Sequence, residues 1–247
     1  MTVVPPPVLA HKKILITGGT SVLGRQFVLK ALSAGARVYF TSFQDRETFR
    51  SLETAGATGF VLDLADMRAI DDFVKILKEK ERTLDIVIHN AAAVRDHTLQ
   101  NLTEEEWDYV MTVNLKAPYY LTKKLLSLLF KGESAKKIFM MTSRAAIMGG
   151  FGVSNYAAAK AGLIGLVKSL AQELGKKNIL TNAINPGFMD SGMTRGLPPE
   201  VIRRNHEASP LGKGSDPVEV ADFLVFLCSD QMTQVTGQVF NFESRKT

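Results

Sequence analysis

Strand-sized runs of nearly continuous apolar residues alternate with helix-patterned segments along the chain. This alternation limits the fold more than any other feature. Lys13 to Thr17 (KILIT), Arg37 to Thr41 (RVYFT), Gly59 to Leu62, Leu84 to His89 (LDIVIH), Lys137 to Thr142, Ile179 to Ile184 and Gln238 to Phe242 read as seven strands. Helical stretches lie between them. One ends near Ala34, and others span Asp45 to Ala55, Met67 to Lys80, Glu104 to about Leu129, and Tyr156 to Leu174. A last helix is capped by Asp216-Pro217 and runs to Cys228. Ile70, Phe73, Val74 and Leu77 recur at helical spacing. Thr103 and Glu106 form a capping-box pattern. Strands that are apolar on both faces need cover on both faces. The pattern therefore predicts a single-domain α/β fold with a doubly wound parallel sheet and helices on both sides. Residues 1–12, with Pro5-Pro6-Pro7, read as an extended lead-in to a domain at 13–247. Residues 188–215 form one long irregular stretch after a strand end, read as a substrate flap.

Composition removes several classes. With 247 residues, 45% of them hydrophobic, the chain can bury one sizeable core. The 30 Lys and Arg against 25 Asp and Glu give a net charge of +5 without a long basic run, so nucleic-acid binding is not implied. No apolar run reaches membrane-spanning length. The start, MTVVPPPVLAHKK, lacks the charged and apolar regions of a signal peptide. Cys228 is the only cysteine, which rules out an internal disulfide and fits a reducing, cytoplasmic compartment. No metal site is read.

Two constellations carry chemistry. The first is Gly18-Gly19-Thr20-Ser21-Val22-Leu23-Gly24, a glycine turn between a strand and a helix. Unpaired N–H groups and the dipole at such a helix start attract phosphate. The second is Tyr156-Ala157-Ala158-Ala159-Lys160. Residues four apart share a helix face, so the Lys160 ammonium should lie beside the Tyr156 phenol and lower its pKa. Ser143, thirteen residues earlier, follows a strand, where open α/β sheets bind ligands. A Tyr-x-x-x-Lys pair alone is an ordinary solvated helix face. It gains meaning only beside a dinucleotide site.

Taken together, Thr17-Gly18 to Gly24, Asp63, Asn90-Ala91, Asn114, Ser143, Tyr156, Lys160 and Pro186-Gly187 resemble the short-chain dehydrogenase/reductase family, in its order and spacing. Within the family, NYAAAKAGLIGLVKSLAQEL and NPGFMDSGMTRGL resemble bacterial 3-oxoacyl-acyl-carrier-protein reductases. The resemblance implies a reductase of 3-oxoacyl thioesters in fatty acid biosynthesis. Tyr156 would be the general acid, Lys160 its pKa-lowering neighbour and a ribose contact, Ser143 the oxyanion holder, and Asn114 the anchor of a proton relay. Cofactor contacts would come from Gly18, Thr20, Ser21, Val22 and Leu23 at the phosphates. Ser42, Asp63 and Leu64 would serve the adenine side, and Asn90, Ala91 and Ala92 the adjoining ribose. Pro186, Gly187, Met189 and Ser191 would meet the nicotinamide. Ser42 stands where NAD-binding relatives carry an acid, so NADP(H) is expected over NAD(H), with Arg46 in reach of a 2′-phosphate. A homo-tetramer is implied, with a dimer as the fallback.

The sequence departs from the family pattern in three places. Val22 replaces a loop glycine, Ala92 replaces the glycine of Asn-Ala-Gly, and the tail Phe240 to Thr247 lacks the glycine pair that usually follows the last strand. Val22 is expected to crowd the phosphates. An acidic carrier protein would meet Arg195, Arg203 and Arg204 at the flap. Lys136, Lys137, Lys176 and Lys177, at the far sheet edge, read as solvated turns or a lesser docking patch. Two other readings stay open: a dehydrogenase of sugars, steroids or small alcohols, and a nucleotide-binding scaffold without turnover.

Overall fold

The computed structural model describes residues 8–189, 194 and 196–245. Seven parallel strands form one sheet in the order β3-β2-β1-β4-β5-β6-β7. They are β1 Lys13–Thr17, β2 Arg37–Ser42, β3 Thr58–Val61, β4 Ile86–His89, β5 Lys136–Met141, β6 Ile179–Asn185 and β7 Val239–Asn241. The helices are α1 Val22–Ser33, α2 Arg46–Thr54, α3 Met67–Lys80, α4 Glu104–Met111, α5 Ala117–Leu129, α6 Ala145–Met148, α7 Ser154–Leu174, α8 Pro199–Glu207 and α9 Pro217–Cys228. The expected doubly wound sheet is therefore present, with boundaries moved by one or two residues.

Alternation of side chains across the pleat explains why the strands read as unbroken apolar runs. On β1, Leu15 enters one core with Ile70 and Phe73 of α3, Leu121 and Leu125 of α5, and Leu163 and Val167 of α7. Its neighbours Ile14 and Ile16 enter the opposite core with Phe27 and Val28 of α1 and Val220 and Leu224 of α9. Strand β5 divides likewise, Ile138 and Met140 to the first core and Phe139 and Met141 to the second. The sheet order reverses between β1 and β4, which opens a crevice at their C-terminal ends.

Local side chains start the helices, those at Thr103 and Asp216 as expected. Asp45, Asp66 and Asp216 cap α2, α3 and α9 by accepting backbone N–H groups of their first turns. Thr103 and Glu106 complete the capping box of α4.

Three expectations need correction. The helix from Glu104 is not regular to Leu129, because Thr112–Lys116 winds as a π-helix in which the Ala117 N–H donates to the Thr112 carbonyl. Pro118 explains this. It has no N–H to give the carbonyl four residues back, that of Asn114, and its ring presses on that carbonyl. The stretch 188–215 is not wholly irregular, since it holds α8. Nor are Lys136 and Lys137 solvated. Lys137 is 2% exposed and donates to the carbonyls of Leu227 (2.8 Å) and Ser229 (2.5 Å), closing the C-terminal end of α9. Lys136, 4% exposed, pairs with Asp85 at 2.6 Å. Neither can reach a docking carrier.

Candidate active site

A cleft of about 450 Å³ lies along the C-terminal ends of β1, β2, β4 and β5. Its floor is the glycine turn. Gly18 has φ +65°, and a Cβ there would stand 2.9 Å from the Ala91 Cα. A Cβ on Gly19 would stand 2.6 Å from the Phe40 Cβ. Two chain segments thus approach as closely as backbone allows, and the turn packs under the start of α1. Ser21 caps α1 by accepting the Gly24 N–H at 3.1 Å. The N–H groups of the helix's first turn have no intrahelical partner and face the cleft side on which Val22 and Leu23 lie. A twelve-residue helix with its amino end at a cleft, over a cradle that side chains cannot enter, fits a pyrophosphate.

Asn90 holds this cradle together. Its Nδ2 lies 3.1 Å from the Thr17 carbonyl, 2.9 Å from the Gly18 carbonyl and 3.1 Å from Ser21 Oγ. Thr17 Oγ1 accepts the N–H groups of Asn90 and Ala91 in return, both at 3.1 Å. Thr17 was not singled out as a site residue from sequence. Its signals were a polar residue closing an apolar strand and its place at the head of the glycine-turn pattern. Thr20 and Ser42 bridge through their hydroxyls at 2.8 Å, and Ser42 is buried at the end of β2.

The expected contacts Thr20, Ser21, Val22, Leu23, Ser42, Asp63, Leu64, Asn90, Ala91, Ala92, Tyr156, Lys160, Pro186 and Met189 all line the cleft with Gly18. Gly187 does not line it. With φ +81° it makes a turn in which a side chain would strike Ser215. Ser191 lies outside the described residues, as does Arg195. Asp45 and Tyr109 line the cleft without having been expected. Tyr109 carried no signal in the sequence, since nothing there marks the lining residue Val113 to which it is neighbour. Arg46 lines a smaller adjoining recess with Arg50 rather than the cleft.

Tyr156 and Lys160 line the other end, while Ser143 does not line the cleft but hydrogen-bonds the Tyr156 phenol, its Oγ also accepting the Ala145 N–H at 3.2 Å. Tyr156 and Lys160 share one face of α7, with the Lys160 Nζ 5.5 Å from the phenol ring centroid. The ammonium donates to the Met141 carbonyl at 2.7 Å, and Thr142 Oγ1 donates to the Lys160 carbonyl at 3.0 Å, binding α7 to the end of β5. Burial pushes the phenol up to about 12. A side-chain hydrogen bond with Ser143 works against that rise, and Asp96 reinforces it. Burial also draws Lys160 down to about 8. Against the expectation that Lys160 lowers the phenol, desolvation and not the neighbouring cation dominates its shift. Tyr156 is instead a phenol that keeps its proton through neutral pH.

Asn114 is completely buried, and its side chain is committed. Oδ1 accepts the Ala93 N–H at 3.1 Å, and Nδ2 donates to the carbonyls of Ala93 (2.8 Å) and Val110 (3.0 Å). It clasps the segment after β4 to the π-helix. Beneath it, His89 meets Thr122 Oγ1 at 2.8 Å, and burial next to Lys160 brings its imidazole down to about 3, so it is neutral. Among the described residues no cluster of His, Cys, Asp or Glu is placed to hold a metal, and no helix is long and apolar enough to cross a membrane.

Comparison with known proteins places this geometry. Residues 19–243 match the family model described as "Enoyl-(Acyl carrier protein) reductase". The chain is 36% identical over 241 residues to the 3-oxoacyl-[acyl-carrier-protein] reductase FabG of Thermotoga maritima, covering 95% of this chain and 97% of that one. It is 33% identical to the FabG of Aquifex aeolicus, covering 94% and 96%. Among solved structures, the NADP active-site complex of Pseudomonas aeruginosa RhlG superposes with a TM-score of 0.90 at 27% identity, covering 98% of each chain.

Proposed function

The chain belongs to the short-chain dehydrogenase/reductase family, and from that premise we propose that it is an oxidoreductase reducing the 3-oxo group of an acyl thioester with a nicotinamide cofactor. The observation that carries this reading is that Tyr156, hydrogen-bonded by the Ser143 side chain, and Lys160 line one end of a cleft whose other end is a phosphate cradle. The acyl-carrier substrate rests on likeness to the FabG relatives.

The residues divide the work. The glycine turn and the first turn of α1 would hold the pyrophosphate, Asp63 and Leu64 the adenine side, and Pro186 and Met189 the nicotinamide end. When bound, the nicotinamide supplies a hydride to the carbonyl carbon. Tyr156 gives its phenolic proton to the carbonyl oxygen as negative charge develops there. The Ser143 hydroxyl donates to the same oxygen and steadies it. Lys160, fixed by the Met141 carbonyl, offsets the phenolate left behind. Because the Asn114 side chain is occupied, it is the Asn114 carbonyl, deprived of a helical donor by Pro118, that is left to anchor a proton relay.

NADP(H) is proposed over NAD(H), since Ser42 brings no carboxylate to the end of β2 and Arg46 and Arg50 line the adjoining recess. Asp45 opposes this preference from the cleft wall. A homo-tetramer is also proposed, with a dimer as the simpler case, pairing across the α4–α5 surface. There Tyr119 is 45% exposed beside a groove lined by Met111, Leu115 and Leu166. Of the flap arginines, Arg203 is open to solvent but pairs with Glu207 at 3.3 Å, which weakens it as a carrier contact.

A spectrophotometric screen of NADPH and NADH against acetoacetyl thioesters, enoyl thioesters, sugars and steroids tests the proposal. Cofactor consumption with acetoacetyl thioesters is expected. Turnover of sugars or steroids with acetoacetyl thioesters untouched would leave the family standing and reject the substrate. No turnover with any of them would favour the scaffold reading.

A further inference from the structure

The tail that replaces the family's glycine pair is built into the nicotinamide end of the cleft. Strand β7 runs out into Phe242, whose N–H donates to the Asn185 carbonyl at 2.8 Å. Its own carbonyl accepts Ser215 Oγ at 3.1 Å, while the Ser215 N–H donates to the Phe188 carbonyl at 2.7 Å. Ser244 and Ser209 meet through their hydroxyls at 2.5 Å. Arg245 then turns back. Its Nε donates to Glu243 Oε1 at 2.8 Å, Nη2 bonds the second carboxylate oxygen, and Nη1 donates to Asn205 Oδ1 on α8. The guanidinium carbon lies 5.3 Å from the centre of the Phe188 ring, and the His206 ring meets that phenyl edge-on at 6.0 Å. The side chains of Glu243 and Arg245 are only 2% and 11% exposed.

We propose that Arg245, oriented by Glu243, is a positioning residue for the nicotinamide end of the cleft. It holds Phe188 by its ring face and α8 by Asn205, and so fixes the turn Pro186–Met189. The inference rests on the cofactor reading above, because Pro186 and Met189 line the cleft on either side of Phe188. Only a planar guanidinium can stack on a ring while its edge forks onto a carboxylate and an amide. A buried ion pair held by three side-chain hydrogen bonds is constrained, and removing one partner leaves the other charge unpaired. Gly187 makes the arrangement tight, since its left-handed turn leaves no room for a side chain against Ser215 and the Phe242 carbonyl. Phe188 therefore cannot shift without moving the tail.

The test compares full-length wild type with Arg245→Met, Glu243→Gln and Arg245→Lys. Dissociation constants are measured for NADPH and for 2′-phospho-ADP-ribose, which is the same dinucleotide without its nicotinamide. Melting temperatures are recorded alongside. A positioning role predicts that NADPH binding weakens about tenfold while binding of the fragment is unchanged. Arg245→Lys keeps the charge and loses the fork. It should show the same split, and it covers the case in which the methionine variant fails to fold. Parallel weakening of both ligands, or no change in either, would overturn the assignment and leave the cofactor reading intact. A wild-type protein that binds neither ligand would overturn both.

Discussion

Val22 opens α1 and lines the cleft, and its backbone is not among the left-handed residues of the chain. The concern raised by this departure from the family's glycine therefore narrows to crowding by the side chain. Val22→Gly should tighten NADPH binding in a calorimetric titration. It should also lower stability by about 0.5 kcal/mol, because glycine is the poorer helix former. Unchanged or weaker binding would mean that the turn has adapted around valine. Asp45 tests cofactor choice. It caps α2 by accepting the Thr48 N–H at 3.0 Å and also faces the cleft. Asparagine caps a helix equally well. Asp45→Asn should therefore leave the melting temperature in place and raise kcat/KM for NADPH relative to NADH, on the order of fivefold for about 1 kcal/mol of relieved repulsion. An unchanged ratio would place the 2′-position away from Asp45. At this scale, much of the site was legible. The glycine turn stands out by its place between a strand and a helix, whereas Asn90, Ser143, Tyr156 and Lys160 are each ordinary alone and become legible only through their joint order and spacing. Asp45 was legible only as the start of a helix, and the role of Arg245 not at all, because apart from Glu243 the groups it holds come from segments 40 and 57 residues away.

Among the elements, the π-helix at Thr112–Lys116 shows why a regular pattern can mislead. Helical periodicity runs on through it, and only Pro118, four residues after Asn114, signals the break. Pro118→Ala restores the missing N–H. The segment should then wind as an ordinary α-helix, rotate Asn114 away from Ala93, and lower kcat by up to about 10²-fold, the cost of a misplacement near 1 Å. Stability should not fall. A crystal structure of the variant with activity measurements checks this, and retention of the π-turn with full activity would show that packing, not proline, sets it. The helices α6 and α8 were missed for a different reason. They are short, and neither buries a residue, so no apolar period marks them. Lys136 and Lys137 misled in the opposite sense, since charge suggested solvent where the tertiary fold supplies Asp85 and the end of α9.

At the scale of the molecule, the parallel sheet was legible because both its faces are buried, which leaves unbroken apolar runs with glycine turns between them. What sequence could not show was how the amino-terminal edge of the sheet is fastened. Glu81, 5% exposed, receives Lys13 from β1 at 2.5 Å, and Arg37 (2.8 Å) and the Tyr39 hydroxyl from β2, while ending α3. Burial would raise this carboxyl, but the three hydrogen bonds outweigh it and bring it to about 2. A depressed carboxyl stabilises the fold fully above its ordinary value near 4.5, and that contribution is lost as pH falls from there towards 2. Urea midpoints should therefore drop between pH 5 and 3 in the wild type and drop less steeply in Glu81→Gln. Parallel slopes would remove Glu81 from the acid transition.

Isotope transfer shows most directly whether a nicotinamide hydride reaches the 3-oxo carbon while Tyr156 supplies the proton. NADPH carrying deuterium at the transferred position is incubated with an acetoacetyl thioester, and the product is read by mass spectrometry. One deuterium is expected on C3 of a 3-hydroxybutyryl thioester with the wild type, and a rate about 10²–10⁴-fold lower with Tyr156→Phe. Product without deuterium at C3, or a phenylalanine variant that works at the wild-type rate, would contradict it.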